Sequence, residues 1–261
     1  MKNDETCDWR EKVGLRLMKS KMLHAILMNR KGRWLQRALL AVLFLQPLFG
    51  SDNDSLRSER VGWARLQTSS PNWRVHAATD PRLMQFFRNE TTLNIDPTWY
   101  AADVKNLEEM CRYPLLFSQG IQTVGAPEER HNLAEYIRRG GFLLIDACIN
   151  PVYRGDVDVY IARQQQVLLQ SLPGVRFQLL PNSDPIFHCF FQFPDGIPHT
   201  AVEPGWNNHG LYGIYLGRRL VGVISTSGLQ CGWAGMRRLP GHDIRCMQML
   251  VNIYIQAMMQ S

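Results

Sequence analysis

Apolar positions in this chain fall into short blocks, and the period within each block changes from one to the next. The clearest succession runs from 112 to 146. "RYPLLFSQG" is an apolar run closed by Ser118, Gln119 and Gly120, which reads as a strand ending in a turn. A helix follows: Pro127 opens it, Glu128 and Glu129 sit where the dipole favours anions, Arg138 and Arg139 occupy its last turn, and Gly140 ends it. Leu133 and Ile137 lie four apart on its inward face. Phe142 to Ile145 is then continuously apolar, as a strand covered on both faces should be. Strand, crossover helix and strand predict a parallel βαβ unit, whose right-handed crossover brings the carboxyl ends of both strands to one edge of the sheet. Ser118, Gln119, Asp146 and Cys148 all fall on that edge, where open α/β sheets bind ligands.

The flanks continue the alternation. "NWRVHAATD" predicts a short strand ending at Asp80, and "DPRLMQFFRNET" a helix capped by Asp80 with Pro81 in its first turn. "DVDVYIARQQQVLLQSLPG" predicts a helix stopped by Pro173 and Gly174. In "VRFQLL", Val175, Phe177 and Leu179 alternate with polar neighbours as a half-covered strand requires. "LYGIYLGRRLVGVIST" predicts a hairpin with Gly217 and Arg218 in a type II′ turn. The closing "DIRCMQMLVNIYIQAMMQ" spaces Ile244, Met247, Val251 and Ile255 along one helical face, with Asp243 as cap, and its methionines read as core filling.

Charge changes the picture at the amino end. Of a formal net charge of +6 over 261 residues, the first 50 hold ten Lys and Arg against four Asp and Glu, which leaves the remainder neutral. A phosphate-binding surface needs a positive excess, so nucleic acid is not the expected partner. Arg30, Lys31, Arg33 and Arg37 precede the apolar run Ala38 to Leu45, and polar Ser51 to Ser55 follow, the pattern of a secretory signal. That run is too short for an ordinary membrane-spanning helix. Its alternatives are an uncleaved anchor, associating with the membrane through residues 38–50, or a buried core helix; Met28 is a natural start. The expected organisation is a signal or anchor segment over 1–50, a polar linker over 51–71 and one α/β domain over 72–261, in a periplasmic or secreted protein. Six cysteines, at 7, 111, 148, 189, 231 and 246, form no CxxC pair. Loss of the leader leaves five, and their spacing fixes no disulfide.

The segments "RYPLLFSQG", "LAEYIRRGGFLLID", "DPIFHCFFQFPDG", "GIYLGRRLVGVIST" and "CGWAG", closed by "LVNIYIQAMMQ", occur in an order that resembles the bacterial family called domain of unknown function 4159, over about residues 72 to 260. That family looks like a member of the class I glutamine amidotransferase-like superfamily. The resemblance implies a flavodoxin-like layered α/β fold with a mostly parallel sheet and a C-terminal hairpin, and it implies no activity. The chain departs from the family pattern at three places. Ser118-Gln119-Gly120 stands where the family often has Gly-His-Gly, Asp146-Ala147 where it has an acidic doublet, and Gly217-Arg218 where it has Asn-Gly or Asp-Gly.

The candidate chemistry is sparse. Amidotransferases of this class place a nucleophilic Cys on a tight turn after a strand, flanked by glycines and completed by a His and an acid. Cys148 falls near that place, yet its neighbours are Ala147 and Ile149, so a buried or disulfide-bonded cysteine is the alternative. His188, in "DPIFHCFFQF", follows a Pro-initiated turn among aromatics and reads either as a site residue or as a core histidine. Asp146, His188 and His209 have no diagnostic ligand spacing, so neither a metal nor another cofactor is expected. "STSGLQCGWAG" lacks the Walker Lys and GxGxxG spacing, and reads as a loop in which Trp233 packs over the sheet edge. Phe187, Phe190, Phe191 and Phe193 read as core, unless one or two lie exposed beside Trp206 as a sugar or protein platform. The expected function is a non-catalytic ligand-binding or assembly module of the cell envelope, its partner a small ligand or an envelope protein. The ligand candidates are Ser118, Gln119, Gly120, Asp146, His188, Cys231 and Trp233. The alternative is a hydrolase or transferase using Cys148 or Asp146 with His188.

Overall fold

The computed structural model describes residues 60–149, 156–199, 209–236 and 240–259. Among them run strands β1 (Val61–Gln67), β2 (Ile95–Asp103), β3 (Leu115–Ser118), β4 (Phe142–Asp146), β5 (Val175–Leu179), β6 (Leu211–Leu216) and β7 (Arg219–Ser225). They form one sheet in the order β2-β1-β3-β4-β7-β6-β5. All neighbours from β2 to β7 pair in parallel, whereas β6 runs antiparallel to both β7 and β5. Leu115 pairs with Phe142 and Ser118 with Ile145, so the two apolar blocks lie side by side with their carboxyl ends together.

Helices cover both faces. They are α1 (Asp80–Glu90), α2 (Leu107–Met110), α3 (Pro127–Arg138), α4 (Val157–Ser171), α5 (Leu229–Trp233) and α6 (His242–Met259). Because strand residues alternate in direction, Leu115, Phe117, Phe142 and Leu144 pack with α1 and α6, while Leu116, Leu143 and Ile145 pack with α3 and α4. This is a layered, flavodoxin-like α/β fold with a mostly parallel sheet. Two-sided burial is why β3 and β4 carry no polar residue before their ends. The β6–β7 turn places Gly217 at φ 61, with Arg218 not in the positive range, which suits a II′ turn and not I′.

Several expectations change. Residues 61–67 are not linker but β1, whose Trp63, Ala64, Arg65 and Leu66 are fully buried. The "NWRVHAATD" strand is instead two 3-10 turns, Pro71–Arg74 and Ala77–Thr79. Ser70 accepts a hydrogen bond from the Asn72 N–H there, and His76 adopts a left-handed φ of 56, so the chain folds back before α1. β2 escapes a propensity reading because Pro97 interrupts it, which an edge strand tolerates. In α6, Met247 and Val251 face the core but Ile244 is exposed and Ile255 only partly buried, because the helix is apolar on most of its circumference. Asp243 forms an ion pair with Arg82 of α1 rather than serving only as a cap. The leader, residues 1–50, and the linker as far as 59 lie outside the described residues. Among the described residues, no helix is long and apolar enough to cross a membrane.

Candidate functional site at the carboxyl rim

The carboxyl ends of β1, β3, β4 and β7 meet at one rim, and the predicted edge residues gather there. At the end of β3, Ser118 Oγ donates to the Gly120 carbonyl (2.9 Å) and accepts from the Gly120 N–H (3.2 Å), folding the chain into a turn that needs φ +151 at Gly120. The Gln119 carbonyl accepts from Tyr160 Oη of α4 (2.7 Å). Its side-chain amide donates to Gln230 Oε1 on α5. Gln230 Nε2 in turn donates to the Val75 carbonyl (2.6 Å), which also accepts from the Arg65 guanidinium (2.9 Å). Gln119, Gln230 and Arg65 are all buried. A continuous belt of hydrogen bonds therefore crosses the rim from β1 to α5, and its polar atoms are matched to one another.

Asp146 ends β4 and is fully buried. Its carboxylate accepts from the N–H groups of Leu229 (3.1 Å) and Gln230 (3.0 Å), the first turn of α5. Burial pushes its carboxyl above the usual range, opposed by hydrogen bonds from the Gln230 backbone, the Ser225 side chain and the Leu229 and Gly228 backbones. The group cancels orphan donors at a helix start and faces no open space.

Cys148 lies just beyond. The chain after Asp146 does not turn sharply: Ala147 N–H donates to the Ser225 carbonyl (3.2 Å), and Cys148 forms an isolated antiparallel bridge with Ser227. His76 is the only non-glycine residue with positive φ among the described residues, so Cys148 has none of the backbone strain of a nucleophile elbow. The glycine close to this thiol is Gly228, across the rim at φ +70, where a Cβ would stand 2.9 Å from Cys148 Cβ. That glycine makes room for the start of α5.

His188 follows the 3-10 turn Pro185–Phe187, capped by Asp184 Oδ1. Its Nδ1 meets Gln192 Oε1 (2.9 Å) and its Nε2 the Asn182 carbonyl (2.7 Å), so both ring nitrogens are engaged within its own loop. Asn252 of α6 clamps this loop, accepting from the Phe191 N–H (2.8 Å) and donating to the Ile186 and Phe191 carbonyls. His188 is thus a half-exposed loop clasp, not a core histidine. Phe187 and Phe193 are core, while Phe190 is 47% exposed against Phe191; Trp206 lies outside the described residues.

Trp233 is fully buried, edge-on to Trp63 (6.1 Å) and Phe117 (5.4 Å). It is core beneath α5 and offers no face to a ligand. Cys231 is half-buried on the same short helix. Among the described residues, no three His, Cys, Asp or Glu side chains are placed to hold a metal, and Asp146, His188 and His209 do not form a ligand set.

Two features at or near the rim are not legible in the sequence pattern. Arg65 and Asp80 form a fully buried ion pair at the end of β1 (Nε to Oδ2, 2.6 Å), to which Trp63 Nε1 also donates (2.9 Å). The only sequence signal is an Arg inside the apolar block "VGWARL". Behind α5, Cys246 Sγ lies 3.3 Å from His242 Nε2, both buried on α6. Burial pushes the Cys246 thiol up, with Asp146 and Asp243 adding to the effect, so this pair is poorly suited to thiolate chemistry.

No curated protein matches the chain. The model of the family described as Domain of unknown function (DUF4159) matches residues 63–258, from within β1 to within α6, and the chain belongs to that family.

Proposed function

We propose that this protein is an exported or membrane-tethered module of the cell envelope that binds a ligand or partner without catalysing a reaction. The observation that carries this reading is the closed belt at the rim. Gln119 and Gln230 bond each other, Gln230 and Arg65 share the Val75 carbonyl, Arg65 also pairs with Asp80, and the Asp146 carboxylate is taken up by the Leu229 and Gln230 N–H groups. A catalytic constellation needs an acid, base or nucleophile with an open bond toward substrate. His188, the imidazole that would have to activate Cys148, is held by Gln192 and Asn182 instead. The basic, then apolar, then polar leader supports the envelope address, and the neutral remainder of the chain supports a partner other than nucleic acid.

Two experiments test the reading. Residues 1–60 fused to a reporter active only outside the cytoplasm should give signal; activity confined to a cytoplasmic reporter removes the address. Iodoacetamide at neutral pH should label Cys148 no faster than a small free thiol. Labelling accelerated by more than about a hundredfold and abolished by Cys148→Ala would instead make Cys148 an activated nucleophile and the protein a hydrolase or transferase.

A further inference from the structure

A cavity of about 220 Å3 opens at the same carboxyl end of the sheet as the rim but at its far side, between the β5–β6 edge and the loop that His188 clasps. Phe187, Ile197 and Leu211, all buried, form its apolar base. Leu179 forms a wall: a Cβ on Gly210, whose φ is +73, would lie 2.7 Å from Leu179 Cδ1, so only glycine lets that side chain stay there. Three polar side chains border this base, those of Asn182, Asp195 and His209.

Their bonding separates this cavity from the rim. Asp80, Asp146, Asp184 and Asp243 each accept a bond from a side chain or a backbone N–H. Among the described residues, the Asp195 carboxylate and the His209 ring make no hydrogen bond or ion pair. Among the described residues that line the cavity there is no Lys or Arg. A single carboxylate at the mouth of an apolar base favours a positive group on an apolar body, since a cation gains an ion pair there while an anion would be repelled. The space equals about seven waters of bulk liquid, enough for a chain of five or six carbons with one ammonium group.

We propose that this cavity binds a small organic cation, its ammonium on Asp195 and its alkyl chain on Phe187, Ile197 and Leu211. The proposal rests on the ligand-binding reading above but not on the rim. n-Pentylamine serves as the probe, added to the full chain at neutral pH while the methyl resonances of Ile197 and Leu211 are followed by NMR, with 1-pentanol and pentanoate as controls. A six-atom ligand is expected to bind in the millimolar range. The expected result is a saturable shift of both methyls with pentylamine and none with pentanoate. Asp195→Asn should weaken binding about two- to fivefold. Asp195 is exposed, so this variant should fold, which unchanged methyl shifts at Leu144 would verify. Equal affinity for pentanol, affinity unchanged in Asp195→Asn, or no saturable shift would each overturn the proposal. None of these outcomes alters the labelling of Cys148, and accelerated labelling there would leave the pentylamine titration as it is. The two readings therefore fail separately.

Discussion

Asp146 shows how far one residue can be read from its neighbours. The strand, helix and strand around it locate it at the rim, and the structure agrees. Its task depends on Leu229 and Gln230, 83 and 84 positions later, which no local pattern reveals. Asn in its place keeps one acceptor and turns an amide N–H toward a backbone donor, so Asp146→Asn should lose about 1–3 kcal/mol in urea unfolding. An unchanged midpoint would mean that α5 is held by packing alone. The Arg65–Asp80 pair is harsher, because removing one partner leaves a bare charge in the core. Asp80→Asn should cost about 3–5 kcal/mol, and an apolar double replacement, Arg65→Met with Asp80→Leu, should recover much of that loss. Asp243 gives a pH signature. The hydrogen bond from Arg82 holds its carboxyl below the usual range, so the stabilisation is present above the unfolded value of about 4 and fades as acid protonates the folded carboxyl. The stability gap between the wild type and Asp243→Asn should therefore narrow as pH falls through that region. A gap constant with pH would exclude the ion pair as its source.

Elements were legible where burial is two-sided or periodicity is strong. β3, α3 and β4 stand where apolar runs, caps and glycines put them, because those signals are local. β1 was hidden because Arg65 breaks its apolar pattern, and that arginine makes sense only against Asp80. β2 was hidden by Pro97, whose missing N–H matters little on an edge. Close approaches between elements are equally silent in sequence. Gly222 of β7 has the Leu143 carbonyl 2.4 Å from where a Cβ would stand, and a backbone atom cannot swing aside. Gly222→Ala should part β4 from β7 and cost at least about 1–3 kcal/mol, read as a lower unfolding midpoint and faster amide exchange in both strands. Native-like protection in that variant would show that the strands have slack. Gly232 brings α5 against α6 in the same way, with Cys246 Sγ occupying the space of its absent side chain.

At the scale of the molecule, the fold gathers distant residues at one rim and then closes it. Ser118, Gln119 and Asp146 fall at this closure, where Ser118 bonds its own turn, Gln119 bonds Gln230, and Asp146 caps α5. Position was predictable because topology dictates it; closure was not, because it depends on side chains from five separate segments. The closed rim is therefore the claim to test, and amide exchange at Leu229 and Gln230 tests it most directly. With Asp146 bonded to both, their N–H groups should exchange at least about a hundredfold more slowly than unstructured amides, and Asp146→Ala should release them while the amides of β3 and β4 stay protected. Fast exchange at Leu229 and Gln230 in the wild type, with the sheet still protected, would mean that α5 stands off the rim and that the site is open.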